Sequence, residues 1–210
     1  MRKQVQGPIR NKQKTKEKIL RAVGNILISK GFSHLKISNI ATEAHVDKKL
    51  IYEYFGNLDG LINEYLSSTD YWTKVDNKKI EPAERTSSKN LIKTIIHSQA
   101  EALQNSKELQ KIILWELSEF HPLLRELADK REEKGEILFN KFVDPQFKEN
   151  TKLMRGLTAL LVAGTYYLNI HSELNGSLFC GLDLKNEKDR DAIRDAVNFI
   201  LDAAYKEKSS

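Results

Sequence analysis

Cysteine is nearly absent from this chain: Cys180 is the single example among 210 residues. One thiol makes no intrachain disulfide and no zinc site of paired cysteines, which excludes disulfide-framework secreted folds and zinc modules built on them. Glycine and proline are sparse too, ten and four residues, so collagen-like and Gly- or Pro-rich low-complexity chains are excluded. No self-similar period marks a solenoid. Long apolar runs are also missing. The longest stretch without a formal charge, Gly156 to Ser172, contains Thr158, Thr165, Asn169 and His171, and it is short and polar against the ~20 apolar residues that a bilayer span needs. It reads as a buried helix. Met1 to Arg21 is basic but has no apolar segment behind it of the signal-peptide kind, so the expected location is cytoplasmic.

What is present is a globular balance, 40% hydrophobic and 30% charged residues, which excludes global disorder. The charge is unevenly placed. Residues 1–65 hold twelve Lys and Arg against six acids, and the other 145 residues hold 22 against 23. The whole positive excess therefore belongs to the first third. Such a split suggests two functional units, one of which meets a polyanion. The alternative is a basic tail that only keeps the chain soluble.

Apolar residues recur at helical spacing almost throughout. Ile19, Leu20, Val23, Ile26 and Leu27 form a stripe from about Thr15 to Lys30, closed by Gly31. Ile37, Ile40, Ala41 and Ala44 mark a second, short helix that breaks near His45, and Leu50, Ile51, Tyr54 and Phe55 mark a third from Asp47 to about Phe55. Two short helices with a tight turn between them have helix-turn-helix spacing. A fourth helix starts near Leu58 and can run towards Trp72 and Val75.

Asp76 to Lys89, charged and containing Pro82, reads as a connector. Beyond it Leu91 to Leu103 form one stripe, and Leu109, Ile112, Ile113, Leu117 and Phe120 form another. Pro122 suits the first turn of the next helix, which carries the solvated charge run Asp129 to Glu136. A loop is expected around Asp144-Pro145. Residues 151–172 then read as a helix apolar on nearly every side, needing partners all round. After a loop from Asn175 to Asp189, residues 190–206 make a last amphipathic helix. The expected fold is all-α, about nine helices, with an N-terminal helix-turn-helix bundle and a larger helical body.

A helix that enters the major groove needs bases near its N-terminus and side chains long enough to reach phosphates and base edges. Asp47-Lys48-Lys49-Leu50 with Tyr52 supplies them, Asp47 as the N-cap. The spaced set Ile40-Ala41, Ala44, Val46, Lys48, Tyr52-x-Tyr54-Phe55 and Leu61, with Gly31-Phe32 before it, resembles the DNA-binding domain of the TetR (tetracycline repressor) family of transcriptional regulators. The resemblance is one of motif over about residues 12–66 and of architecture beyond. It implies that Lys48 and Tyr52 hold the DNA backbone, that Lys49 and Leu50 face bases, with Leu50 able to touch a thymine methyl, and that Tyr54 is a further phosphate candidate. It also implies a basic arm at 1–11, a DNA-binding domain at 12–66 with the helix-turn-helix at about 37–55, and an effector-binding and dimerisation domain at 67–210.

Three positions depart from the family pattern. His45 stands where glycine is usual in the turn, and it can adopt a left-handed conformation at some cost. Lys36 stands where a capping Thr or Ser is common, with Ser38 as the alternative cap. Leu58 replaces a phosphate-binding lysine, a loss that the arm from Arg2 to Lys18 could offset.

For the body, the resemblance implies a homodimer through residues 151–172 and 190–206, paired across a two-fold axis as a four-helix bundle; the alternative is that both helices are intrachain core. The dimer would read a near-palindromic operator in double-stranded DNA and respond to a small-molecule effector. Trp115, Phe120, Tyr166 and Tyr167, with Trp72, are the aromatic candidates for an effector pocket, and core packing is the alternative for each. His97, His121 and His171 read as core or surface histidines rather than metal ligands, and no metal or cofactor is expected. No Gly-rich phosphate loop, His-Glu-x-x-His or other local catalytic signature occurs, so the chain reads as a regulator, probed against two rivals: an enzyme, and a helical binding module whose helix-turn-helix no longer reads DNA.

Overall fold

The computed structural model describes residues 8–74, 87–176 and 178–207. Most of the expected connector and residues 1–7 of the basic arm lie outside them. Among the described residues every regular element is helical, nine helices being eight residues or longer, and the sole β feature is an isolated bridge between Phe179 and Leu182. The chain divides into two compact units, Met1–Thr73 with Lys111–Leu127, and Lys74–Gln110 with Ala128–Ser210.

The first unit is built on α1 (Pro8–Lys30), α2 (Ile37–Ala44), α3 (Lys48–Phe55) and α4 (Leu58–Thr69). Helix α1 starts earlier than its apolar stripe, so residues 8–11 are its first turns. It ends where expected, at Gly31, whose φ of 80° is open to glycine and whose N–H reaches Leu27 O at 3.2 Å. Ile19, Val23, Ile26, Ile40, Ile51 and Leu61 close a core to which Ile112, Trp115, Leu124 and Leu127 also contribute. Helix α4 does not run on to Val75. The buried Asp70 turns extended after Thr69, and its carboxylate accepts the Trp72 N–H at 2.9 Å. That bond starts a separate turn, α5 (Tyr71–Lys74).

The second unit takes α6 (Ser88–Asn105), the first residues of α7 (Lys107–Ser118), most of α8 (Pro122–Leu138), α10 (Thr151–Asn175) and α11 (Glu187–Glu207). Ser87 caps α6 by accepting the Asn90 N–H at 3.2 Å. Ile92, Ile96, Val143, Phe147, Met154, Val197 and Leu201 form its core.

The loop expected at Asp144-Pro145 is instead helical. A π-helical turn, Phe139–Val143, leads into α9 (Asp144–Phe147), and a 3-10 turn, Lys148–Asn150, follows. Pro145 sits in the first turn of α9, where its fixed φ fits and its missing N–H is no loss. The Arg155 guanidinium ties the segment together by donating to Glu136, Asn140 and Asp144. The hydrogen bonds to Asp144, the largest cause, and to Glu136 raise its pKa above the ordinary arginine range.

Candidate nucleic-acid interface

The turn between α2 and α3 is set by backbone hydrogen bonds. His45 adopts φ 47° and ψ 52°, the left-handed conformation, and donates its N–H to Thr42 O at 3.1 Å. The Val46 N–H donates to Ala41 O at 3.0 Å. This pair of bonds is a Schellman motif, which satisfies the last carbonyls of α2 and reverses the chain. Val46 then packs against the core that holds Ala41. At the other end of α2 the N-cap is Lys36, without a side-chain cap bond, and Ser38 is already inside the helix. Ser38 therefore does not cap α2, because the helix begins one residue before it.

Asp47 caps α3 as the sequence suggests, its Oδ1 accepting the Lys49 N–H at 2.7 Å. Along α3 Ile51 is fully buried while Lys48, Lys49 and Glu53 are exposed. Tyr52 is 52% exposed, a large aromatic held out of the core. Leu50, Tyr54 and Phe55 are half-buried. The candidate contact residues Lys48, Lys49 and Tyr52 thus share the face opposite and beside Ile51, with Leu50 and Tyr54 at its other edge.

The junction of α3 with α4 falls at Gly56-Asn57, the pair that punctuates the sequence between the two helices. Gly56 ends α3 with its N–H on Tyr52 O at 2.9 Å, and Asn57 caps α4 by accepting the Gly60 N–H at 2.8 Å. Gly60 permits a close approach: a Cβ there would lie 2.2 Å from Phe55 O. Leu58 is half-buried against the first core rather than presented to solvent. Two lysines of α1 lie over aromatic rings of α3, Lys12 Nζ 5.0 Å from the Tyr54 centroid and Lys16 Nζ 4.9 Å from that of Phe55. Lys16 is also paired with Glu64, at 3.0 Å.

The aromatic effector candidates are scattered. Trp115 is buried in the first core, stacked on Phe32 with centroids 5.4 Å apart, and Phe120 lies beyond the end of α7 at 81% exposure. The α7 stripe expected to reach Phe120 stops short because the helix ends at Ser118. The Tyr166 hydroxyl donates to Gln99 Oε1 at 3.2 Å, and exposed Tyr167 stacks on His171. Trp72 packs edge-on against Tyr71. A cavity of about 420 Å³ within the second unit has none of these residues in its wall. It lies among α6, α10 and α11 and is lined by His97, Glu101, Asn169, Arg190, Ile193 and Arg194, among others. His97 Nε2 and Asn198 Oδ1 are hydrogen-bonded at 2.9 Å, the amide oxygen accepting, and the Leu123 N–H donates to His121 Nδ1 at 3.3 Å. Among the described residues no cluster of His, Cys, Asp and Glu could hold a metal ion, and no helix is long and apolar enough to cross a membrane.

Residues 15–65 match the family model for bacterial regulatory proteins of the tetR family. No curated protein matches the chain by sequence. The fold is similar to that of the multidrug binding protein EbrR complexed with imidazole, at 18% identity and TM-score 0.58, with 94% of this chain and 95% of that one covered. It is also similar to NalD, the secondary repressor of the MexAB-OprM multidrug efflux pump in Pseudomonas aeruginosa, at 22% identity and TM-score 0.53 over 87% of this chain and 95% of that one. A TetR-family transcriptional regulator from Streptomyces coelicolor aligns at 14% identity and TM-score 0.56 over 99% and 98% of the two chains. At these identities the likeness is one of fold.

Proposed function

From the match of residues 15–65 to the family model for bacterial regulatory proteins of the tetR family, we propose that this chain is a homodimeric repressor of that family, released from its operator by a small molecule. The observation that carries the DNA half of this reading is α3 itself. Asp47 caps it, Ile51 anchors it, and Lys48, Lys49 and Tyr52 stand exposed on one short helix. Lys48 and Tyr52 hold the backbone, Lys49 and Leu50 meet bases, and Tyr54 adds a backbone contact. Regulation through DNA involves no catalytic step, and the work is done in the cytoplasm, where the chromosome is.

The proposed dimer uses α10 and α11. Leu153, Leu160, Tyr167 and Leu174 are exposed at seven-residue intervals along α10, and Phe199 and Ile200 are exposed on α11. An apolar stripe of this length on a soluble chain marks an interaction surface. A two-fold pairing of both helices makes a four-helix bundle and gives the dimer two recognition helices for a near-palindromic operator, whose half-sites lie about 34–36 Å apart.

The proposed effector site is the cavity among α6, α10 and α11. Its lining mixes apolar side chains, Leu168, Ile193 and Val197, with polar and charged ones such as His97, Asn169 and Arg190, the mixture of a small-molecule site. The shared fold of a multidrug binding protein and of an efflux-pump repressor supports a small-molecule signal. Helices α7 and α8 each contribute residues to both units, which gives effector binding a covalent route to the DNA-binding unit, with a coupling of ~1–3 kcal/mol.

The test is fluorescence anisotropy of the full chain with the DNA upstream of its own gene and with scrambled DNA, at two salt concentrations. Selective, salt-sensitive binding that falls ~10-fold or more in a Lys48→Ala, Tyr52→Ala double variant is the expected result. Equal, weak binding to every duplex, including pools of random sequence, overturns it in favour of a helical binding module that does not read DNA.

A further inference from the structure

A helix in the major groove lies between two sugar-phosphate backbones, in a groove ~12 Å wide. Both of its flanks therefore face anions. With ~3.6 residues per turn, the core-facing positions of α3 are Ile51 and Phe55, Lys48 and Tyr52 fall on one flank, and Leu50 and Tyr54 fall on the other. The first flank has its own cation. The second has none from α3, and the residue that opens α4, Leu58, is apolar and half-buried.

The missing cation comes from α1. Lys12 Nζ sits 5.0 Å from the centroid of the Tyr54 ring, held there by the attraction of an ammonium for an aromatic face. Lys16, one turn further along α1, has the same relation to Phe55 at 4.9 Å, but the Glu64 carboxylate accepts from it at 3.0 and 3.1 Å and neutralises it. Lys12 is exposed, and among the described residues no carboxylate pairs with it. Resting on the DNA-binding reading above, we infer that Lys12 and Tyr54 form a second phosphate-binding site, which clamps the backbone on the flank of the recognition helix opposite Lys48. The ammonium supplies the charge and the Tyr54 hydroxyl supplies a donor to a phosphate oxygen. The site takes the place of a lysine at the start of α4.

The site makes a thermodynamic demand. Each phosphate neutralised by a lysine adds ~0.9 to the slope of log affinity against log salt concentration, so Lys12→Ala in a dimer lowers that slope by ~1.8. The experiment measures this slope for the full chain on a duplex it selects from a random-sequence pool. Lys12→Ala is expected to lose that part of the slope and to weaken selected and scrambled duplexes by the same factor, leaving their ratio unchanged, and Lys12→Arg is expected to restore both. Tyr54→Phe is expected to weaken binding with the slope intact, since a neutral donor releases no counterion. Thermal melts of the Lys12 variants should stay within a few degrees of that of the unaltered chain, because the side chain is exposed and an exposed cation–π contact is worth only ~0.5–1 kcal/mol. Selective binding by the unaltered chain with an unchanged slope in Lys12→Ala overturns the clamp and leaves the regulator reading standing. A chain that selects no duplex from the pool overturns both.

Discussion

His45 and Asp47 stand two residues apart, and each makes a definite demand on the helix-turn-helix. His45 holds φ 47°, a conformation that costs an L-residue with a Cβ ~1–2 kcal/mol relative to the right-handed one. The bonds that fix the turn are backbone N–H to carbonyl, so they survive a change of side chain. His45→Gly should therefore stabilise the first unit by about 1 kcal/mol in urea denaturation, with unchanged affinity for DNA. Asp47→Ala should do the reverse, removing the bond to Lys49 N and costing about 1 kcal/mol. Gly60→Ala is predicted to be worse than either for function, since its Cβ would strike Phe55 O at 2.2 Å and push α4 away from the end of the recognition helix. Asp47 as a cap and His45 as the left-handed residue were legible in the sequence because both are local chemistry. The sequence offered the whole arm from Arg2 to Lys18 as a substitute for the lysine missing at Leu58, but it could not single out Lys12, because the contact with Tyr54 depends on where α1 passes α3, and it did not show Gly60, whose constraint is a distance between two helix ends.

At the scale of elements, the longest helices were legible because their apolar stripes are long, while the boundaries that failed turn on single residues. Asp70 interrupts α4 by accepting the Trp72 N–H, and Pro145 starts a helical turn where a loop was expected. The packing of α6 on the C-terminal helix also offers a pH test. The Tyr205 hydroxyl lies 2.9 Å from Ser88 Oγ, and its ring packs edge-on against Phe147 at 4.8 Å. Burial raises the Tyr205 pKa above the ordinary 10.0, and the Ser88 hydrogen bond opposes the rise in part. A folded pKa above the unfolded one means that the neutral phenol is favoured in the fold. Its stabilisation is complete below about pH 10 and is lost as pH rises from there through the folded value. Absorbance titration of the phenolates should therefore show a late component that disappears in Tyr205→Phe, and that variant should lose about 1 kcal/mol at neutral pH, where Ser88 forfeits its partner.

For the whole molecule, the sequence carried two signals of unequal strength. The charge split singled out the same third of the chain that holds the family-model match at residues 15–65, since counting needs no structure. The cavity proposed for the effector was not legible in the sequence, because its residues come from α6, α10 and α11, far apart in the chain, whereas, of the aromatics selected from the sequence, Trp115 is core and Phe120 is exposed. The helix at 151–172 was more informative. A segment apolar on nearly every side must be covered all round, yet within one chain Leu160 remains 76% exposed and, on α11, Phe199 remains 73% exposed. Gly156 and Gly164 on the same helix have open space where a Cβ would be, so a second backbone can approach closely. If this face is the two-fold interface, an isolated carboxylate placed in its centre would have to be desolvated twice, once per copy. Leu160→Asp should then convert the 24.1 kDa chain from a dimer to a monomer in light scattering, while its circular dichroism stays helical because Leu160 contributes nothing to the intrachain core. Operator affinity should fall by ~10²-fold or more, since the monomer loses the effective concentration that links two half-sites, and binding to an isolated half-site should be unchanged. A variant that stays dimeric and keeps full operator affinity would move the interface elsewhere on the chain.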